Sequence, residues 1–208
     1  MRDQVPRDRP KLIITCGLMG TGKTTIARKL AKMNGWALIS SDAVRKELAG
    51  MPTNHHEYVA WGKGIYSSDF SEKTYARMNE IAEELLKEGK SVVADACYRK
   101  KSERANVYAL ARAMNAEFTC IELVCPEKEI KRRLTVRMNK RGEISDGRWA
   151  IFSDQKASFE KIDDFAREEH IIVDTSKPRN ESLKQAMHEM KLRNRRTETS
   201  SFKDPTSD

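Results

Sequence analysis

The stretch GLMGTGKTTIARKLA, from Gly17 to Ala31, decides the fold of this chain. Its first eight residues fit the phosphate-binding pattern G-x-x-x-x-G-K-[ST], and they follow the apolar run KLIITC at 11–16. The glycines let the backbone wrap a polyphosphate closely, with N–H groups pointing inward at a helix N-terminus. The stretch therefore predicts a strand, a phosphate-binding loop and a helix from Lys23 to about Asn34.

The loop predicts ATP and Mg²⁺ as cofactors. Lys23 would reach the β- and γ-phosphates, and the hydroxyl of Thr24 would bind Mg²⁺. The apolar run at 92–94 ends in Asp95, whose carboxylate would orient the same ion, or would cap the following turn. The residues expected to hold the nucleotide in this loop are Gly17, Leu18, Met19, Gly20, Thr21, Gly22, Lys23, Thr24 and Thr25.

Apolar runs alternate with helical patterns along the rest of the chain. Because the strands are apolar throughout, we expect a parallel sheet covered on both faces, in one doubly wound α/β domain. We predict a flexible arm at 1–10, this domain at 11–192 and a polar basic tail at 193–208. Further strands are expected at 36–40, 91–96, 118–125 and 170–175, and helices at 43–50, 71–90, 102–116, 126–138, 148–162 and 181–192.

Composition bounds the class of protein. A chain of 208 residues suits one ordinary core, and no apolar run approaches the ~20 residues of a membrane helix. The N-terminus lacks the apolar segment of a signal peptide, so we expect a cytoplasmic protein without a membrane partner. The net charge of +8 suits phosphorylated or nucleic-acid substrates, but many soluble proteins carry the same charge. The four cysteines form no CxxC pair, and we expect them to stay reduced.

A switch, a motor and a kinase can all contain such a loop. A GTPase switch needs N-K-x-D, and the nearest string, NKRG at 139–142, lacks the aspartate. The LSGGQ signature of one motor class is absent, and the helical lid domain of another has no residues left to form it. These features favour a nucleotide-dependent kinase.

The string LISSDAVRKEL supplies two residues for an acceptor hydroxyl. Asp42 follows the second strand, at the sheet edge where α/β proteins bind ligands. Arg45 stands three residues later, on the same face of a helix. A carboxylate would take the hydroxyl proton, and a cation would position the acceptor. The alternative is that Ser41 or Asp42 caps the helix, which leaves Arg45 unexplained.

The stretch from Lys128 to Arg148 is basic, with eight Lys or Arg residues against three acids. Arg133, Arg137 and Arg141 recur every four residues, as on one helix face. They would lie in or next to a lid at about 137–148 that closes over ATP and neutralises the transferring phosphoryl group, with Arg133 and Arg137 the preferred catalytic residues. A solvated helix face would give the same pattern.

The strings GLMGTGKTT, ISSDAVRKEL, VVADACY, IELVCPEKEIKRRL and VDTS together resemble the small bacterial P-loop kinases grouped with zeta toxins and polynucleotide 5′-kinases. The resemblance covers roughly 11–177. It implies an adenylate-kinase-like strand order 2-3-1-4-5, ATP–Mg²⁺ as donor and transfer to an acceptor hydroxyl. It also implies that Asp42 is the general base and that Arg45 contacts an acceptor phosphate. The lid arginines map onto Arg133, Arg137 and Arg141, and the loop beside the adenine onto Thr175 and Pro178.

The acceptor stays open, because relatives of this kind act on 5′-hydroxyl nucleic-acid ends, nucleotide-sugars, gluconate or antibiotics. The segment 51–70 would line the acceptor or form a packed insertion, and the basic string KLRNRR at 191–196 would follow a phosphate backbone or end a helix. A non-catalytic ATP-binding regulatory module is the alternative from another class. The aromatic and histidine side chains in 51–70 are His55, His56, Tyr58, Trp61 and Tyr66.

Overall fold

The computed structural model describes residues 9–52, 62–139 and 146–200. Its centre is one parallel sheet of five strands in the order β2-β3-β1-β4-β5, with every neighbouring pair parallel. This confirms the doubly wound α/β fold and the predicted strand order. The strands are β1 (Lys11–Cys16), β2 (Ala37–Ser40), β3 (Val92–Asp95), β4 (Glu117–Val124) and β5 (His170–Asp174).

Helices cover both faces of the sheet. They are α1 (Lys23–Asn34), α2 (Ser41–Leu48), α3 (Ser68–Lys87), α4 (Lys101–Ala113), α5 (Glu127–Asn139), α6 (Asp146–Ala157) and α7 (Arg179–Ser200), with a short 3-10 helix at Gly64–Tyr66. Alternate residues of β1 explain why the strand is apolar throughout. Ile13 packs with α1 and α7 on one face, while Leu12 and Ile14 pack with α3 and α4 on the other.

The sheet brings three strand ends to one edge. Thr15 of β1 and Ser40 of β2 both lie opposite Asp95 of β3 in the register. The phosphate-binding loop leaves β1 at this edge and α2 leaves β2 there. The edge is therefore the place where ligands bind in open α/β sheets.

Several helix boundaries differ from the sequence predictions. Helix α2 begins at Ser41 rather than at residue 43, and α3 begins at Ser68 rather than at residue 71. The cap of α3 is Ser67, whose side chain accepts from the N–H of Phe70. Helix α7 continues to Ser200, beyond the predicted end at Leu192.

Helix α6 ends at Ala157, five residues before the predicted end. The cause is Arg104 of α4, which is fully buried. Its guanidinium donates to the carbonyl oxygens of Glu160 and Lys161 and to the carboxylate of Asp164. These bonds take the backbone after α6 out of the helical path, a contact between distant residues that helical periodicity does not show.

Within the described ranges, no helix combines the length and the apolar character needed to cross a membrane.

Candidate active site

The start of the phosphate-binding loop lies against the segment that follows β3 and against the end of β4. Gly17 adopts φ +132°, which glycine tolerates and other residues rarely do. Its N–H donates to the carbonyl oxygen of Cys97 at 3.2 Å, and a Cβ here would lie 2.5 Å from the carbonyl oxygen of Leu123. The loop therefore needs glycine at this position for both conformation and space.

Lys23 lies over the loop that it is predicted to serve. Its ammonium donates to the carbonyl oxygen of Leu18 at 2.8 Å, and the hydroxyl of Thr21 donates to the same oxygen at 2.8 Å. The N–H groups of Lys23 and Thr24 lie in the first turn of α1, at the positive end of the helix dipole, while the N–H of Thr25 donates to the carbonyl oxygen of Gly22 at 3.0 Å. The arrangement suits a polyphosphate, which is the role predicted for all the residues from Gly17 to Thr25.

Asp95 ends β3 and is buried beside the start of the loop. The hydroxyl of Thr15 donates to its carboxylate at 3.1 Å, and the two residues are partners in the sheet register. Thr24, by contrast, is exposed at the start of α1. A carboxylate and a hydroxyl are the hard oxygen ligands that Mg²⁺ takes together with phosphate oxygens. Asp95 and Thr24 therefore fit the predicted metal, with Thr15 orienting the carboxylate.

Arg133 lies against the backbone of the loop. Its guanidinium donates to the carbonyl oxygen of Gly20 at 3.4 Å and to the carbonyl oxygen of Thr175, in the segment after β5. The hydroxyl of Thr175 donates in turn to the carbonyl oxygen of Thr21 at 2.8 Å. The structure thus brings the predicted residues Arg133 and Thr175 to the loop, where they join it to the end of β5.

Glu129 orients Arg133 from the preceding turn of α5. Its carboxylate accepts from Arg132 at 2.7 Å and from Arg133 at 2.8 Å. These hydrogen bonds, first from Arg132 and then from Arg133, lower the pKa of Glu129 to about 2. The carboxylate is therefore ionised at neutral pH and holds the Arg133 side chain in place.

Asp42 lies in the first turn of α2, and its side chain is 59% exposed. Its carboxylate accepts from the ammonium of Lys46 at 2.8 Å, and the side chain of Lys46 is buried. The N-cap residue of α2 is Ser40, which makes no side-chain capping bond. Capping therefore does not explain Asp42, whereas an exposed carboxylate oriented by a lysine suits contact with an acceptor.

Arg45 is buried, with 8% of its surface exposed. One guanidinium nitrogen donates to the carbonyl oxygen of Ile65 and to the hydroxyl of Ser71, and the group lies 5.1 Å from the ring centre of Tyr66. Burial lowers the pKa of Arg45 from its ordinary value. Among the described residues no carboxylate lies within 4.0 Å of it, so its hydrogen-bond partners there are neutral.

Sequence reasoning did not single out Gln155 of α6. Its carboxamide oxygen accepts from the N–H of Met19 at 2.7 Å, 136 residues away, and its side chain is buried. No sequence motif marks this contact. The sequence signal for it is a glutamine at a helix position that faces the core.

Several predicted residues lie beyond what the structure describes. Arg141 falls outside the described residues, as do His55, His56, Tyr58 and Trp61. Arg137 is in α5, but its side chain is not among those described. The lid at about 137–148 and the roles of these arginines therefore stay predictions.

Comparison with known proteins identifies the family and the fold. The family model AAA_33, described as AAA domain, matches residues 12–162. This is well over half of the chain, so the chain belongs to the AAA domain family. An uncharacterized protein of Mycobacterium tuberculosis is 30% identical over 181 residues, which are 86% of this chain and 34% of that protein. The chain thus spans about a third of the length of this relative.

Solved structures with the same fold include kinases. A gluconokinase from Sinorhizobium meliloti superposes with a TM-score of 0.65 at 20% identity, covering 95% of this chain and 99% of that one. The Mycobacterium tuberculosis APS kinase, in complex with AMPPNP and APS, superposes with a TM-score of 0.60 at 15% identity, covering 88% and 98%. At these identities the likeness shows a shared P-loop kinase fold.

Proposed function

We propose that this member of the AAA domain family is an ATP-dependent kinase that transfers the γ-phosphate of ATP–Mg²⁺ to an acceptor hydroxyl. One observation carries the proposal. Asp42, whose carboxylate is exposed, follows β2 at the same sheet edge where the phosphate-binding loop follows β1. Asp95 ends β3, the strand that lies between β1 and β2. A donor cradle and a candidate base at one edge are what phosphoryl transfer to a hydroxyl needs.

Different residues of the chain would bind the donor and deprotonate the acceptor. The loop and Lys23 would hold the β- and γ-phosphates, while Thr24 and Asp95 would hold Mg²⁺, which would neutralise charge on those phosphates. The acceptor oxygen forms a bond to the γ-phosphorus as the bond from that phosphorus to the β,γ-bridging oxygen breaks. Asp42 takes the proton of the acceptor hydroxyl, and ADP leaves with the bridging oxygen.

Arg45 supports an acceptor that carries negative charge. A buried guanidinium with only neutral partners is costly unless an anion completes its surroundings. Both hydrogen bonds described for its guanidinium come from one terminal nitrogen, which leaves the other two nitrogens as donors for a ligand. A carboxylate or phosphate on the acceptor would fill that position.

A small hydroxylated anion is the acceptor that these observations favour. The solved structures of the same fold include a gluconokinase and an APS kinase, and Arg45 supplies the cation such acceptors need. A 5′-hydroxyl nucleic-acid end, which also presents a hydroxyl near phosphate, is the second acceptor class.

The test is transfer of γ-labelled phosphate from ATP–Mg²⁺ to gluconate, to other sugar acids and to a 5′-hydroxyl oligonucleotide. We expect Asp42→Asn to lower the rate at least about 100-fold while the Kd for ATP changes less than about twofold. Asp69→Asn is the matched control, since Asp69 is also an exposed aspartate in the first turn of a helix. If Asp42→Asn kept the wild-type rate, the base would lie elsewhere. If ATP bound but no acceptor of either class were labelled, the regulatory module would replace the kinase.

A further inference from the structure

We propose that Gln155 is a positioning residue for nucleotide binding, whose carboxamide clamps α6 to the phosphate-binding loop and to the segment after β3. The proposal deepens the proposed function, because it concerns the loop that holds the donor. Neither the family match nor the loop motif assigns this residue a role.

Both ends of the carboxamide are engaged. The oxygen accepts from the N–H of Met19 at 2.7 Å, and the NH₂ group donates to the sulfur of Cys97 at 3.4 Å. Only 5% of Gln155 is exposed. Burying a primary amide costs free energy unless its polar atoms form hydrogen bonds. Glutamine is stable at this position because the loop and Cys97 supply both partners.

The two partners of Gln155 are themselves connected. The carbonyl oxygen of Cys97 accepts from the N–H of Gly17, so Gln155 holds the loop directly at Met19 and indirectly at Gly17. Leu18 lies between these two residues, and its carbonyl oxygen accepts from Lys23 and Thr21. Gln155 therefore holds in place the peptide that positions the ammonium of Lys23.

Apolar packing supports the same junction. Trp149 and Phe152 of α6 stack with ring centres 4.8 Å apart, and Phe152 is buried with Ile130 and Leu134 of α5. Leu18 and Met19 of the loop pack against this cluster, and so do Trp149 of α6 and Cys125, which follows β4. The cluster holds α6 close to the loop, and the directional bond of Gln155 selects one loop conformation within that contact.

A preorganised loop binds nucleotide more tightly, because less conformational entropy is lost on binding. Gln155→Met keeps the length of the side chain and removes both hydrogen bonds. We expect it to raise the Kd of ATP–Mg²⁺ and of ADP–Mg²⁺ about tenfold each, and, where transfer is measured, to raise the KM for ATP more than it lowers kcat.

Gln155→Glu keeps an oxygen for the N–H of Met19 but adds a negative charge beside the polyphosphate. We expect it to weaken ATP more than ADP, because ATP carries the larger charge. Gln185→Met is the matched control: Gln185 is a half-buried helical glutamine that donates to the carbonyl oxygen of Ile172 at 3.1 Å. It should leave both Kd values within about twofold of wild type.

The measurements are titration calorimetry with ATP–Mg²⁺ and ADP–Mg²⁺ and the thermal midpoint of each variant without nucleotide. A lower midpoint in Gln155→Met with both Kd values unchanged would overturn the proposal, because Gln155 would then only stabilise the fold. If Gln155→Met does not fold, Gln155→Glu tests the proposal instead. A ratio of ATP affinity to ADP affinity equal to that of the wild type would overturn it. Failure of phosphoryl transfer in the wild type would not affect these readings, so the two proposals fail separately.

Discussion

The proposed donor side and the proposed acceptor side of the sheet edge are built differently. On the donor side, backbone groups of Gly17, Met19, Gly20 and Thr21 each bond to a distant segment, and these bonds hold the loop at four points. On the acceptor side, the candidate groups are single side chains on α2. Asp42 is exposed, and Arg45 is buried among neutral partners.

The difference shows how each half obtains its specificity. Backbone groups recognise any polyphosphate, so the donor side suits a ligand shared by many kinases. Side chains on a helix can change while the fold stays the same, so the acceptor side can differ between proteins of one fold. Changes on the two sides should therefore have separable effects.

The largest effect is expected from Gly17→Ala. The new Cβ would lie 2.5 Å from the backbone oxygen of Leu123, at a φ of +132°. We expect the free energy of unfolding to fall by about 3 kcal/mol or more, measured by urea denaturation. Gly35→Ala is the control: Gly35 has φ +66° with nothing within 4 Å of a Cβ, and it should cost only about 1 kcal/mol. Equal losses of unfolding free energy in Gly17→Ala and Gly35→Ala would mean that the loop is packed no more tightly than the end of α1.

Arg45→Met should affect the acceptor alone. Losing a charge-assisted bond to an anionic acceptor is expected to raise its KM about 30-fold, while the Kd of ATP–Mg²⁺ changes less than about twofold. Steady-state kinetics and calorimetry measure the two quantities. Arg77→Met, at a more exposed arginine paired with Glu80, is the control. A loss of ATP affinity in Arg45→Met would show that the two sides are not separable.

Arg133→Met should affect the donor side more mildly. The variant loses the bonds to the carbonyl oxygens of Gly20 and Thr175, and we expect the Kd of ATP–Mg²⁺ to rise about tenfold. Arg132→Met provides a close comparison, since Arg132 binds the same Glu129 but its side chain is 65% exposed. Similar Kd values in the two variants would show that Arg133 does not support the loop.

The smallest effect is expected from Glu129→Gln and depends on pH. The folded-state pKa of about 2 is below the ordinary value of 4.5, so the ionised carboxylate stabilises the fold above about pH 4.5. That contribution is lost as the pH falls through about 2. Because the group is accessible to solvent, we expect the thermal midpoints of variant and wild type to differ by no more than about 2 °C at pH 6 and to converge toward pH 3. A difference that grew on acidification would contradict this pairing.

Much of the fold was predictable because its signals are local. Short apolar runs indicated all five strands, and the motif at 17–24 located the loop between β1 and α1. The missed boundaries depend on partners far along the chain. Arg104 ends α6 through residues about 60 positions away, and no helical periodicity carries that information.

The candidate site divides in the same way. The loop, the place of Asp95 at the end of β3 and the place of Asp42 directly after β2 follow from the sequence, because a turn that needs glycine and a strand that ends in a carboxylate are specified within a few residues. The tertiary structure alone decided that Arg45 is buried, that Arg133 joins Gly20 to Thr175, and that Gln155 reaches Met19. The physical reason is that a side chain's partner across the fold is set by how helices pack on the sheet. An arginine or glutamine on a helix has the same sequence pattern whichever group it meets.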